Sequence, residues 1–191
     1  IAERPVVALL PGSRKQEILK KLPVMLEVSR SFPGYQCIVA KAPGVEESFY
    51  DAMLQHFSNV SYVANRTYDL LIRSKAALVT SGTATLETAL FGVPEVVCYK
   101  GSWLSYQIGK RLVKVKYIAL VNLIMDKPVV KELIQNDLNP ANLKKALEEL
   151  LTSETRKKEL EEDYAALKKI LHFGGEASAN AAASITGYLG Q

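Results

Sequence analysis

Short apolar runs rich in β-branched residues alternate with stretches of helical spacing from the start of the chain to about residue 135. The runs Val6–Leu10, Cys37–Ala40, Val60–Val63, Ala77–Thr80, Val96–Tyr99 and Tyr117–Val121 are mostly continuous rather than alternating. That is the pattern of strands whose two faces are both covered by helices. Between the first two, Ile18, Leu22, Met25 and Leu26 recur at helical spacing, which predicts an amphipathic helix. Further helices are predicted at Tyr68–Arg73, Ala84–Phe91, Ser105–Val113 and Val129–Ile134. Strands and helices in this alternation predict an α/β domain, doubly wound, around a mainly parallel six-stranded sheet.

After residue 138 the strand pattern stops. Asn139 before Pro140 marks a helix start, continued by Leu143, Leu147, Leu150 and Leu151. Ser153 can cap a second, highly charged helix to about Leu171, Gly174–Gly175 breaks it, and an Ala-rich helix from Ala177 to Tyr188 is predicted to end the chain. The expected organisation is therefore one domain over residues 1–138 and a helical extension over 139–191, packed on it or on a neighbour.

Ligands of open parallel sheets bind beyond the carboxyl ends of the strands, where the strand order reverses. The first turn to inspect is Leu9-Leu10-Pro11-Gly12-Ser13-Arg14. Gly12 permits a tight turn, Ser13 with Gln16 has the spacing of a capping box, and Arg14 adds a positive fork at a helix N-terminus. Such a turn suits a phosphate or is an ordinary capped turn with its arginine in water. The second is Ser81-Gly82-Thr83-Ala84-Thr85-Leu86-Glu87. Its small residues admit a ligand to the helix N-terminus, and Glu87, one turn in, can accept hydrogen bonds from a ribose diol or stand as a surface glutamate. Gly92 and Pro94 end that helix. Two such turns after strands 1 and 4 point to a nucleotide diphosphate.

Charge adds a third region. The 24 Lys and Arg against 20 Asp and Glu leave only +4, mild for a nucleic-acid binder. Yet between residues 100 and 127 the cations, including Lys110, Arg111 and Lys114, interleave with Trp103 and aliphatic residues. This is either an interfacial contact with an anionic membrane or a solvated face above a core helix. Asn122, beyond the sixth predicted strand, is either a turn former or a ligand for a sugar hydroxyl. Of 191 residues 48% are apolar and 23% charged, which is ordinary for a globular domain. Cys37 and Cys98 sit inside apolar runs, as buried reduced thiols do. His56 and His172 have no metal-ligand spacing, and there is neither an Asp-x-Asp motif nor a G-x-S-x-G elbow. No metal or cofactor is expected. The chain starts at Ile1, so a piece of a longer protein is expected.

Leu-Leu-Pro-Gly-Ser-Arg at 9–14, Ser-Gly-Thr-Ala-Thr-Leu-Glu at 81–87, Lys-Arg-Leu-Val-Lys at 110–114, Asn-Leu at 122–123 and Val-Lys-Glu-Leu at 130–133 together resemble the carboxy-terminal half of the lipid-A-disaccharide synthases. The resemblance implies one Rossmann-like half of a GT-B glycosyltransferase. The implied substrates are UDP-2,3-diacylglucosamine and 2,3-diacylglucosamine 1-phosphate, and the implied products are a tetraacyl disaccharide phosphate and UDP. It implies that Gly12, Ser13, Arg14, Ser81, Gly82 and Thr83 meet the donor diphosphate, that Glu87 holds the ribose, and that Asn122 lies near the donor sugar or pyrophosphate. Arg14 and Asn122 would stabilise the leaving group and the sugar. Acceptor site and general base would lie in an amino-terminal half outside this chain, leaving the chain alone inactive. The resemblance also implies a cytoplasmic protein peripheral to the inner membrane of a Gram-negative bacterium, no nucleic-acid partner, and room for a homodimer. Alternatives are another GT-B enzyme acting on UDP-N-acetylglucosamine, transferase or 2-epimerase, or a non-catalytic nucleotide-binding module.

Overall fold

The computed structural model describes residues 4–101 and 116–173. The helices expected at Ser105–Val113 and Ala177–Tyr188, and with them Trp103, Lys110, Arg111 and Lys114, lie outside the described residues.

Six strands, β1 (Val6–Leu10), β2 (Gln36–Lys41), β3 (Val60–Ala64), β4 (Ser74–Thr80), β5 (Glu95–Tyr99) and β6 (Lys131–Ile134), form one sheet in the order β3-β2-β1-β4-β5-β6. Every neighbouring pair is parallel. The helices are α1 (Lys15–Ser29), α2 (Glu47–Leu54), α3 (Thr67–Arg73), α4 (Thr83–Leu90), α5 (Leu120–Met125), α6 (Pro140–Thr152) and α7 (Glu154–Phe173). Successive side chains of a strand face opposite ways, and β1 divides accordingly. Val7 and Leu9 join one core with Ile18, Leu22 and Met25 of α1, whereas Ala8 and Leu10 join a second with Leu70 and Leu71 of α3. Helices thus cover both faces, which is why the strands read as unbroken apolar runs.

The C-terminal helices share the first of these cores through Leu143, Leu147, Leu160 and Leu167. Their caps follow the residues named above. The Asn142 N–H donates to Asn139 Oδ1 at 3.0 Å ahead of Pro140, and the Arg156 N–H donates to Ser153 Oγ at 3.2 Å. Tyr164 of α7 donates its hydroxyl proton to the Val93 carbonyl at 3.2 Å, tying that helix to the entrance of β5.

Two expectations are corrected. Tyr117–Val121 is not the sixth strand: Ala119 caps α5, which runs over Leu120–Met125. Val129–Ile134 is not a helix but contains β6, paired with β5 from Val96↔Lys131 to Tyr99↔Ile134. As one of the two edge strands, β6 packs on one neighbour only and buries just Leu133. Val129 and Val130 ahead of it, with its own Leu133 and Ile134, therefore mimic helical spacing, while the apolar run at 117–121 is drawn into a helix start by Glu132. That carboxylate accepts the backbone N–H groups of Ile118 and Ala119 at 2.9 to 3.1 Å.

Burial pushes the thiols of Cys37 and Cys98 each up to about 12, so both stay protonated and unreactive. Glu95 is more unusual. It opens β5 fully buried, with no partner for either carboxylate oxygen among the described residues, and burial raises its pKa well above the usual carboxylate range. Its carboxyl therefore holds its proton to higher pH in the fold than in the unfolded chain. The native state is favoured below the ordinary carboxylate pKa and loses stability as pH climbs from there toward the folded value. Glu95→Met, which removes both unpartnered oxygens, is expected to raise the unfolding free energy by about 1–3 kcal/mol at about pH 8 and by less at about pH 4. Urea denaturation at the two pH values measures the difference.

Candidate functional site

In this strand order the chain leaves β1 toward one side of the sheet and β4 toward the other, so the order reverses between these two central strands. The turns that follow them meet there. Both depend on glycine: Gly12 has φ +118° and Gly82 φ +129° with ψ −162°, backbone regions that side chains with a Cβ rarely occupy. At Gly12 a Cβ would also come within 2.7 Å of Glu17 Oε2. The two turns line one cleft of about 390 Å³, which brings together Gly12, Ser13 and Arg14 with Ser81, Gly82 and Thr83. Thr80, Glu17, Lys41 and Thr67 add to its polar wall.

Two helices begin at this cleft. The capping residue of α1 is Arg14, not Ser13, and it makes no side-chain cap bond, so the Ser13–Gln16 capping box does not form. The Gly12 turn holds Arg14 extended (φ −108°, ψ 137°) and delays the helix by one residue; the Ser13 side chain is left exposed in the cleft wall. Gly82 caps α4, likewise without a side chain. The N-terminal ends of both helices therefore border the same space, α1 through Arg14 and Glu17 and α4 through Thr83 and Ala84, with the positive end of each dipole behind them. The Arg14 side chain is 82% exposed and touches only Glu17 at 3.5 Å among the ion pairs of the described residues. An oxyanion fits this environment.

Glu87 does not line that cleft. It faces an adjoining hollow of about 530 Å³ with Asn65, Arg66, Thr67, Tyr68 and Asp69, and Thr67 belongs to both. The half-buried side chain of Glu87 thus stands one helical turn from the cleft, at its shoulder. The far end of α4 closes as expected. The Gly92 N–H donates to Ala89 O at 2.9 Å and the Val93 N–H to Thr88 O at 3.1 Å, with Gly92 at φ +76°.

Asn122 lies apart from both hollows. It is 1% exposed, its Nδ2 donates to Val130 O and Glu132 Oε1 at 2.9 Å each, and its Oδ1 accepts from the Val130 N–H at 2.8 Å. All three of these bonds go into clasping α5 to β6 and to Val130 just ahead of it.

Sequence reasoning missed Glu17 and Lys41 in the cleft wall and one buried charge beneath it. Lys21, only 4% exposed, lies on the apolar face of α1 between Ile18, Leu22 and Met25. Its Nζ donates to Thr80 Oγ1 under the cleft floor and sits 4.0 Å from Glu17 Oε2. Burial lowers its pKa below the usual lysine value, against the raising influence of Glu17. Its place on the 18-21-22-25 face was the available signal.

The family model described as lipid-A-disaccharide synthetase matches residues 2–186. The lipid-A-disaccharide synthase of Syntrophus aciditrophicus is 38% identical over 186 residues, covering 94% of this chain and 49% of that protein. The synthase of Geobacter sulfurreducens is 41% identical over 139 residues, 70% of this chain and 36% of that protein. The chain spans about half the length of the curated relatives it covers most fully. Among solved structures, the calicheamicin glycosyltransferase CalG4 superposes with a TM-score of 0.64 at 18% identity, covering 100% of this chain and 43% of that one. A UDP-N-acetylglucosamine 2-epimerase reaches 0.52 at 15% identity, over 92% of this chain and 44% of its own. These last two likenesses concern the fold, and they agree with a doubly wound half of a GT-B architecture.

Proposed function

The chain belongs to the lipid-A-disaccharide synthetase family, and from that premise we propose that it is the donor-binding half of a hexosyltransferase. The reaction moves 2,3-diacylglucosamine from UDP to 2,3-diacylglucosamine 1-phosphate and releases UDP. The observation that carries this reading is the single cleft joining two glycine-opened helix N-termini and Arg14 at the reversal of strand order.

Displacement at the anomeric carbon builds positive charge on the sugar and negative charge on the departing diphosphate. The amides of α1 and α4 and the Arg14 guanidinium are aimed where that negative charge grows, so they stabilise the transition state more than the ground state. These donors are the chain's own source of positive charge, and the proposal assigns no metal or cofactor. The acceptor and the general base belong to the half that this chain does not include. Glu87, beside the cleft, accepts hydrogen bonds from the ribose hydroxyls in this reading.

In this reading the protein works at the cytoplasmic face of the inner membrane, on a diacylated donor. Among the described residues no helix is long and apolar enough to cross a membrane, and the contact assigned to Trp103, Lys110, Arg111 and Lys114 is with an anionic surface.

Calorimetric titration of the full-length protein with UDP and with inorganic pyrophosphate tests the assignment. Glu87→Ala is expected to weaken UDP binding about tenfold, the value of hydrogen bonds to a charged acceptor, while pyrophosphate affinity stays unchanged. Equal loss for both ligands would remove Glu87 from the ribose. Failure of the wild-type protein to bind either would remove the nucleotide from the cleft.

A further inference from the structure

A buried ammonium needs a reason. Removing Lys21 from water costs free energy that a close ion pair would offset, yet the nearest carboxylate, Glu17, is 4.0 Å away and 36% exposed. The one hydrogen bond that Lys21 makes in the described structure is to the hydroxyl of Thr80. Thr80 ends β4 immediately before Ser81-Gly82 and lines the cleft. Lys21 Nζ also approaches the other turn, 3.7 Å from where a Cβ on Gly12 would sit.

We propose that Lys21 is a positioning residue for the cleft's anionic ligand, acting through the Thr80 hydroxyl. The inference rests on the cleft being the diphosphate site. An ammonium has donors only, so the Thr80 oxygen must be the acceptor of that bond. The Thr80 proton then points away from Lys21, and among the described residues no protein acceptor takes it. The free direction is the cleft. A hydroxyl whose oxygen is bound to a cation is a stronger donor, so Thr80 offers a ligand phosphate oxygen a polarised O–H beside the amides of α4. Until a ligand arrives, the Glu17 carboxylate in the same wall, 3.5 Å from Arg14 and 4.0 Å from Lys21, supplies the negative charge.

The experiment is UDP titration of the full-length protein and of its Thr80→Val, Thr80→Ser, Lys21→Met and Lys21→Met/Thr80→Val variants. Thr80→Val is expected to weaken UDP about tenfold, as loss of a charge-assisted donor should, and Thr80→Ser to bind like wild type. Lys21→Met is expected to weaken UDP by a similar factor, and the double variant to be no weaker than the worse single variant. Wild-type affinity in Thr80→Val overturns the inference, as does loss in the double variant equal to the product of the two single losses. Should Lys21→Met not fold, the contrast between Thr80→Val and Thr80→Ser decides alone. Arg14→Ala separates the two levels. If it weakens UDP while Thr80→Val does not, only the role of Lys21 falls; if it leaves UDP binding intact, the cleft reading falls.

Discussion

Arg14→Ala in the full-length protein is expected to lower kcat/KM for the UDP-sugar donor by about 30- to 1000-fold, corresponding to about 2 to 4 kcal/mol of transition-state stabilisation. The side chain is 82% exposed and its one ion pair, to Glu17 at 3.5 Å, lies on the surface, where such pairs contribute little to stability. The fold should therefore survive the substitution, and the thermal midpoint should stay within a degree or two of wild type. What is lost is a fixed positive fork over the mouth of two helix N-termini, in the place where the departing diphosphate gathers charge. Because that charge is larger in the transition state than in the bound donor, the loss should fall mainly on kcat. Arg14→Lys keeps the charge but not the bidentate geometry, and should recover only part of the rate. A wild-type rate in Arg14→Ala at subsaturating donor would take the leaving group away from this turn.

The four inner strands and the framework of helices could be read from the chain because a strand covered on both faces must be apolar throughout, and Val6–Leu10 or Val96–Tyr99 have no other way to be buried. That rule weakens at the sheet's edge. There β6 buries one side chain of four and its segment has the spacing of a helix, with Tyr117–Val121 reading as the strand in its place; β3, at the other edge, buries none of its five yet keeps a strand pattern at Val60–Val63. Glu47–Leu54 was assigned no element, being eight residues long with only Tyr50 and Leu54 fully buried. Of the site, the two turns were legible because glycines and small polar residues follow strands 1 and 4, and backbone geometry rather than side-chain identity creates an anion seat. Lys21 and Glu95 were not, since a charged residue among apolar ones reveals that it is buried but not what it faces. For Asn122, spacing left a turn former and a sugar ligand both open. Its amide is instead occupied by Val130 and Glu132.

Asn122→Ala is accordingly expected to destabilise the protein, by about 3–5 kcal/mol, before it affects any ligand. Three hydrogen bonds disappear, and the Val130 N–H and C=O, which bond the amide at 2.8 and 2.9 Å, are left in a buried region where each orphaned group costs about 1–3 kcal/mol. Glu132 loses one partner but keeps the Ile118 and Ala119 N–H groups, so the clasp is weakened on the α5 side and severed at Val130. Set against a total stability of about 5–15 kcal/mol, that loss moves the urea midpoint far enough to be unmistakable. Asn122→Asp should be comparably damaging, because it places a second carboxylate where Nδ2 now lies 2.9 Å from Glu132 Oε1. A ligand role predicts the opposite ordering, with unaltered denaturation and a raised KM for donor. Denaturation and donor kinetics on Asn122→Ala therefore decide whether this side chain acts on the sugar or holds β6 in register with β5, the strand beside the one that delivers Ser81, Gly82 and Thr83 to the cleft.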